Sequence, residues 1–146
     1  MILDSGERRT FESGAVRDIQ VGKGRMDLVP LEVAGKYLMR TFLEHLAKFL
    51  KDGDTDHLYN ALDCFCHEAY SAAYETMILE VSKHYEEGCK KYGENNWQKG
   101  LPVNCYIDSC ARHYLKWLRG DKDENHHLAI VWNLMCCIWE VDYHEY

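Results

Sequence analysis

Acidic and imidazole side chains recur at helical spacing in the segment "EVSKHYEEGCKK" at 80–91. On a helical wheel Glu80, His84, Glu87 and Lys91 fall within about 60° of one another, at the border of the apolar face. Such a stripe can hold a divalent metal if it faces a second acidic wall. The alternative interpretation is a solvated helix edge with i,i+4 pairing, such as Glu87 with Lys91.

A second acidic segment, "DKDENHH" at 121–127, forms the start of the last helix predicted in the chain. Glu124 continues the apolar stripe of that helix backwards, where an unpaired buried carboxylate would be costly. Asp121, Asp123 and His127 crowd the same helix start. The alternative is that these acids cap a helix N-terminus, which explains Asp121 and Asp123 better than Glu124.

Together the two segments offer H-x-x-E at 84–87 and E-x-x-H at 124–127 on two helices. Side chains at this spacing project from one helix face towards a facing helix, which is how helix bundles build metal sites. Carboxylate-rich sites suit Mg²⁺ or Mn²⁺, which neutralise phosphates and activate water. The predicted metal ligands are Glu80, His84, Glu87, Asp121, Glu124 and His127.

Basic residues in the N-terminal region and near helix ends are candidate phosphate ligands. "GKGR" at 22–25 places Lys23 and Arg25 beside two glycines, and the alternative there is a plain flexible loop. Lys91 and Arg112 are further candidates, since arginine is well suited to bidentate phosphate contacts.

Three residues are candidates for binding a nucleobase. "NNW" at 95–97 supplies Asn96, which can hydrogen-bond a base, and Trp97, which can stack on one or fill the core instead. Asn133 lies in the middle of the last predicted helix, where asparagine is unfavourable, so a buried partner is expected, either structural or a ligand.

Composition narrows the class of protein. The chain has 146 residues and a net charge of −7, which argues against a generic binder of nucleic-acid polymers or of membrane surfaces. We see no membrane-spanning run and no signal peptide, and expect a cytoplasmic protein with its seven cysteines reduced. Zinc is a weaker alternative, because Cys64, Cys66 and His67 and the Cys136–Cys137 pair lack the C-x-x-C spacing.

The apolar periodicity predicts a single all-α domain over 1–146, a bundle of four to five helices behind an irregular N-terminal arm at 1–29. The predicted helices cover about 30–51, 55–71, 74–91, 105–119 and 122–141, with a loop at 92–104. Four tryptophans and ten tyrosines in so short a chain favour a homo-oligomer, a dimer or higher.

The blocks "GAVRDIQVGKGRMDLVP", "EVSKHYEEGCKKYGENNWQKG" and "YIDSCARHYLKWLRGDKDENHHLAIVWN" resemble the phage and bacterial dATP/dGTP diphosphohydrolase family, which is related to the all-α, MazG-like nucleoside triphosphate pyrophosphohydrolases. The resemblance covers about 14–30 and 76–139, so 31–75 is interpreted as an insertion or extension. MazG-like enzymes carry E-x-x-E and E-x-x-D; here the second ends in His127 and the first has no literal match.

The resemblance implies hydrolysis of a purine deoxynucleoside triphosphate between its α and β phosphates, with Mg²⁺ or Mn²⁺ required. Glu87 or Glu86 is then the acid that orients or deprotonates the attacking water, and Glu124 is the third catalytic candidate. The departures from the motif leave one alternative of a different class, a phage protein that binds and sequesters a nucleotide without cleaving it.

Overall fold

The computed structural model describes residues 4–145 and shows an all-α fold, which confirms the predicted class. A short antiparallel hairpin of β1 (Arg8–Thr10) and β2 (Val16–Asp18) precedes the helices. Among the described residues the α-helices are α1 (Leu31–Leu38), α2 (Thr41–Asp52), α3 (Asp56–Tyr70), α4 (Tyr74–Tyr92), α5 (Val103–Arg119) and α6 (His126–Asp142). Short 3₁₀ turns lie at Met26–Leu28 and Asn96–Gln98.

The antiparallel pair α5 and α6 forms the centre of the fold and makes the most extensive interhelical contact. Tyr106 and Tyr114 of α5 and Ile130 and Leu134 of α6 are fully buried. α6 is apolar around most of its circumference, which is typical of a helix surrounded by others. The more amphipathic helices α2, α3 and α4 pack around this pair, and no helix within residues 4–145 is long and apolar enough to cross a membrane.

The single helix predicted at 30–51 is wrong, because the chain breaks between α1 and α2. Met39 adopts a left-handed conformation with φ of 55°, and the start of α2 folds back against Gly35. A Cβ on Gly35 would lie 2.9 Å from the carbonyl oxygen of Arg40, so only glycine permits this approach. The apolar spacing continues across the break, which is why periodicity alone does not show it.

The N-terminal arm is more regular than predicted. Its hairpin turns at Gly14, where φ is 87°, and pairs Arg9 directly with Arg17. Two side chains of the helical body hold the arm in place: Asp108 accepts a hydrogen bond from the Met26 backbone N–H at 2.6 Å, and Asn96 binds the backbone of β2.

The last helix begins at His126 rather than at about 122. Asp121, Asp123 and Glu124 therefore lie in the loop between α5 and α6, not on the helix as the apolar stripe predicted. Leu128 remains buried on the first turn, so the stripe itself is real and only its extension to Glu124 is wrong.

Candidate functional site

A cavity of about 740 Å³ opens between the N-terminal hairpin and the helices α4, α5 and α6. We call it the hairpin cavity. Its size falls within the range of about 300–1,000 Å³ usual for small-molecule sites. Its lining residues come from the N-terminal arm, from α4, α5 and α6 and from the loops that follow α4 and α5, so only the folded protein assembles it.

The predicted site residues divide into two groups with respect to this cavity. Those that line it are Lys23, His84, Asn96, Arg112, Glu124 and Asn133. Those outside the lining are Arg25, Glu80, Glu86, Glu87, Lys91, Trp97, Asp121 and His127. The structure thus brings together members of the metal, phosphate and base sets, but no complete set.

Two arginines that sequence reasoning missed, Arg9 and Arg17, line the cavity as a directly opposed cross-strand pair. Like charges facing each other across an antiparallel pair destabilise it. Among residues 4–145, neither the Arg9 Nε nor the Arg17 Nη1 has a hydrogen-bond partner, although both atoms are buried. The charge and the open donors predict an anion at this position.

Arg17 is held by neutral neighbours rather than by a carboxylate within the described part of the chain. Its Nη2 donates to Asn133 Oδ1 at 3.2 Å, and its guanidinium lies 5.3 Å from the centre of the Trp132 ring. Burial lowers the pKa of Arg17 from its usual value, although an arginine remains charged in proteins. The protein therefore orients the Arg17 guanidinium, but no carboxylate among residues 4–145 neutralises its positive charge.

The predicted phosphate ligands are already engaged with carboxylates. Lys23 Nζ lies 3.3 Å from Asp18, and Arg25 forms a two-pronged contact with Asp27 at 2.7 and 2.8 Å. Arg112 donates to Asp108 at 2.6 Å and also to the Gly24 carbonyl at 2.9 Å. Arg112 therefore holds the "GKGR" segment against α5, and this structural role was not predicted from the sequence.

Lys91 lies outside the cavity lining, and its amine is 3.9 Å from Asp4. Burial lowers the pKa of Lys91, and Asp4 acts in the opposite direction. Asp4 itself lines the cavity, so its ion pair with Lys91 places the lysine amine next to the cavity.

The three predicted base ligands have different environments. Asn96 uses both ends of its amide on Val16: Oδ1 accepts from the Val16 N–H at 2.7 Å and Nδ2 donates to the Val16 carbonyl at 2.8 Å. Trp97 packs edge-on against Tyr85 and Trp139 in the core. Asn133 presents its amide oxygen to the side chain of Arg17, which lines the cavity.

Of the first predicted acidic wall, only His84 lines the cavity. Burial lowers the pKa of His84 to about 4, so its imidazole is neutral at pH 7. Glu86 is exposed and lies 3.4 Å from Lys90. Burial has the larger effect on the pKa of His84, and the negative charge of Glu87 acts in the opposite direction and raises it.

Glu80 and His127, which lie outside the cavity lining, both lie near Tyr70. The His127 ring lies 6.4 Å from the Tyr70 ring, and burial together with the Glu80 carboxylate raises the pKa of the Tyr70 hydroxyl. These members of the two predicted walls are therefore neighbours of one tyrosine, not of the cavity.

Two histidines lie close to Glu124, and one of them, His113, lines the cavity as Glu124 does. His113 of α5 and His126 of α6 place their Nδ1 atoms 2.8 Å apart, and the donor atoms of these histidines and of Glu124 all lie within 4.8 Å of one another. Asp123 binds the opposite nitrogen of His126 at 2.6 Å. The sequence named Glu124, but pairing His113 with His126 requires the packing of α5 on α6, which spacing does not reveal.

Fold and cavity together define an all-α protein with an arginine-lined cavity and a histidine–carboxylate cluster beside it. The family model described as dATP/dGTP diphosphohydrolase, N-terminal, matches residues 68–145, which is 78 of the 146 residues. The chain belongs to this family, as its sequence blocks predicted. No curated protein and no solved structure matches the chain significantly.

The matched region begins near the end of α3 and contains α4, α5 and α6. It includes three of the four elements around the cavity and the whole His113, Glu124 and His126 cluster. The N-terminal hairpin, with Arg9 and Arg17, lies outside it.

Proposed function

We propose that the chain binds a purine deoxynucleoside triphosphate in the hairpin cavity and hydrolyses it between the α and β phosphates, which releases the monophosphate and pyrophosphate. Family membership supports the reaction class. The single observation that carries the location is the opposed pair Arg9 and Arg17, each of which has one buried guanidinium nitrogen without a partner among residues 4–145.

The phosphates would lie against the hairpin. Arg9 and Arg17 would donate to phosphate oxygens and neutralise the charge that develops on the leaving pyrophosphate. Because Arg17 is already oriented by Asn133 and Trp132, little side-chain entropy remains to be lost on binding.

The base would use the aromatic end of the cavity. Tyr92 and Trp132 both line it and are half-buried, and aromatic rings of this kind stack on nucleobases. Asn133 lines the cavity beside them, and its amide oxygen binds Arg17, whereas both ends of the Asn96 amide are taken up by the Val16 backbone. Purine preference is part of the proposal and rests on the family description.

The proposed cofactor is Mg²⁺ or Mn²⁺. The cluster containing Glu124 supplies three donor atoms close enough to share one ion, so the residues present fit a divalent metal. When bound, such an ion neutralises phosphate charge and lowers the pKa of a coordinated water. His113, Glu124 and His126 would hold it at the cavity wall.

The experiment is incubation of the purified protein with dATP and dGTP in the presence of Mg²⁺ or Mn²⁺, followed by chromatography of the products. Monophosphate with an equal amount of pyrophosphate would support the proposal. Nucleoside diphosphate with inorganic phosphate would contradict the proposed bond, and unchanged nucleotide would contradict catalysis.

Sequestration of an intact nucleotide is the second candidate, and one observation favours it. The predicted acids Glu80, Glu86 and Glu87 lie outside the cavity lining, so the candidates for metal binding and water activation on α4 do not reach the cavity. Stoichiometric binding with full recovery of the nucleotide would support this candidate.

A further inference from the structure

We propose that His113, Glu124 and His126 form a binding site for one first-row transition-metal dication, such as Mn²⁺, Co²⁺ or Zn²⁺, in preference to Mg²⁺. The inference deepens the proposed function, on which it rests for its purpose, because it identifies the class of metal at that cavity. Its ligands are two imidazoles and one carboxylate, not a set of carboxylates.

The first argument is convergence. Nδ1 of His113 and Nδ1 of His126 approach to 2.8 Å, and one donor atom from each of His113, Glu124 and His126 lies within 4.8 Å of the other two. In the metal-free protein a single proton can sit between the two nitrogens. A dication would take its place, bind both lone pairs and release that proton.

The second argument is the orientation of His126. Its Nε2 lies 2.6 Å from Asp123 Oδ1, and Lys116 lies 3.8 Å from the other oxygen of that carboxylate. A carboxylate on the distal nitrogen fixes the tautomer and aims the other nitrogen at the metal. His126 is also buried, with 2% of its surface exposed, so the ring cannot swing away.

The third argument is ligand chemistry. Imidazole suits zinc, iron and the neighbouring transition metals, whereas Mg²⁺ takes oxygen ligands and keeps its waters. A set of two imidazoles and one carboxylate therefore favours a transition metal over Mg²⁺.

A competing group, Asp121 with Asp123 and His126, is less suitable. Asp121 is already bound by Arg119, whose Nε donates to it at 2.8 Å. That arginine keeps the pKa of Asp121 low and would have to leave before a metal entered. None of the three residues of the competing group lines the cavity, whereas His113 and Glu124 both do.

The test is titration of chelator-treated protein with Co²⁺, followed by visible absorption, without any nucleotide. We expect saturation at one Co²⁺ per chain, displacement by Zn²⁺, and no displacement by a hundredfold excess of Mg²⁺. His113→Asn and Glu124→Gln should each weaken Co²⁺ binding at least tenfold. Asp123→Asn, which removes only the residue behind His126, should weaken it about tenfold to a hundredfold.

Two variants serve as controls. His67→Asn removes an exposed histidine on α3 and should bind Co²⁺ like the wild type. Asp121→Asn should do the same. If His113→Asn binds like the wild type, if Asp121→Asn abolishes binding, or if Mg²⁺ displaces Co²⁺ at equal concentration, the proposal is overturned.

A melting curve of each variant shows whether that variant is folded. If a histidine variant does not fold, Glu124→Gln still tests the site, because Glu124 is a half-buried residue in a loop.

The two proposals fail separately. Turnover of dATP with Mg²⁺ in a protein that binds no Co²⁺ would overturn only the metal assignment. Co²⁺ binding in a protein that ignores nucleotides would overturn only the proposed function.

Discussion

Arg9 and Arg17 face each other directly across the N-terminal hairpin, and each carries a buried guanidinium nitrogen without a partner among residues 4–145. Two like charges in this position cost stability unless an anion lies between or beside them. The pair lies outside the region matched by the family, yet it lines the same cavity as the residues that are matched.

Replacing Arg9 by Gln should weaken the binding of a purine nucleoside triphosphate about tenfold to a hundredfold, since hydrogen bonds to charged groups contribute about 1.5–3 kcal/mol. It should not lower the free energy of unfolding of the ligand-free protein, because it relieves a like-charge pair. Calorimetric titration and chemical denaturation measure the two quantities. Lys48→Gln, which removes an exposed cation on α2, is the control for net charge. Lost stability with unchanged affinity would show that Arg9 is structural.

Asn96→Ala should act mainly on stability. The substitution removes both hydrogen bonds to the Val16 backbone and should lower the free energy of unfolding by about 2 kcal/mol. Nucleotide affinity should fall as the hairpin loosens, equally for dATP and dGTP. Denaturation curves and a comparison of the two nucleotides check this; an altered preference in a protein of normal stability would restore Asn96 as a base ligand.

Glu124→Gln should abolish turnover with the fold intact, whereas Glu86→Gln should retain most of it. Glu124 lines the cavity, and Glu86 is exposed beside Lys90. Initial rates with dATP, together with circular dichroism, measure the contrast. Equal loss in both variants would favour the acidic wall predicted from the sequence over the cavity seen in the structure.

The cysteines should be reduced and mostly unreactive. All seven are free, and burial raises the pKa of the Cys136 thiol to about 12 and that of Cys110 well above its usual value. Iodoacetamide at pH 8 should therefore label at most the half-buried Cys64, Cys89 and Cys105 in the native protein, as mass spectrometry would show. Labelling of Cys110 without unfolding would contradict the packing of α5 on α6.

The homo-oligomer expected from the aromatic content remains a prediction. Helix α1 and its C-terminal turn expose Val33, Tyr37 and Met39, the last two by more than four-fifths of their surface. Exposed apolar side chains of this kind mark surfaces that associate. Sedimentation equilibrium should give at least twice the 17.1 kDa of the chain, and a monomer at all concentrations would reject the expectation.

Sequence patterns predicted the helical class and the central helices well, because buried residues such as Ile107, Tyr114 and Val131 repeat at the helical period. They failed where one local feature overrides the period. Gly35 permits the close turn that splits the first predicted helix, and the hairpin strands are too short and too charged to show alternation.

The site was less predictable than the fold. Glu124, His84 and Asn133 were identified because acids, imidazoles and amides are unusual on apolar faces. Arg9 and Arg17 are ordinary residues in a charged arm until strand pairing brings them together. The meeting of His113 with His126 likewise depends on the contact between two helices, which single-sequence spacing does not encode.

The most direct measurement is incubation of the protein with dATP, dGTP, GTP and dCTP in the presence of Mg²⁺ or Mn²⁺, with chromatographic separation of all products. We expect monophosphate and pyrophosphate from the purine deoxynucleotides, and loss of both products in Glu124→Gln. Recovery of every nucleotide intact, whether free or bound to the protein, would contradict the proposed hydrolysis.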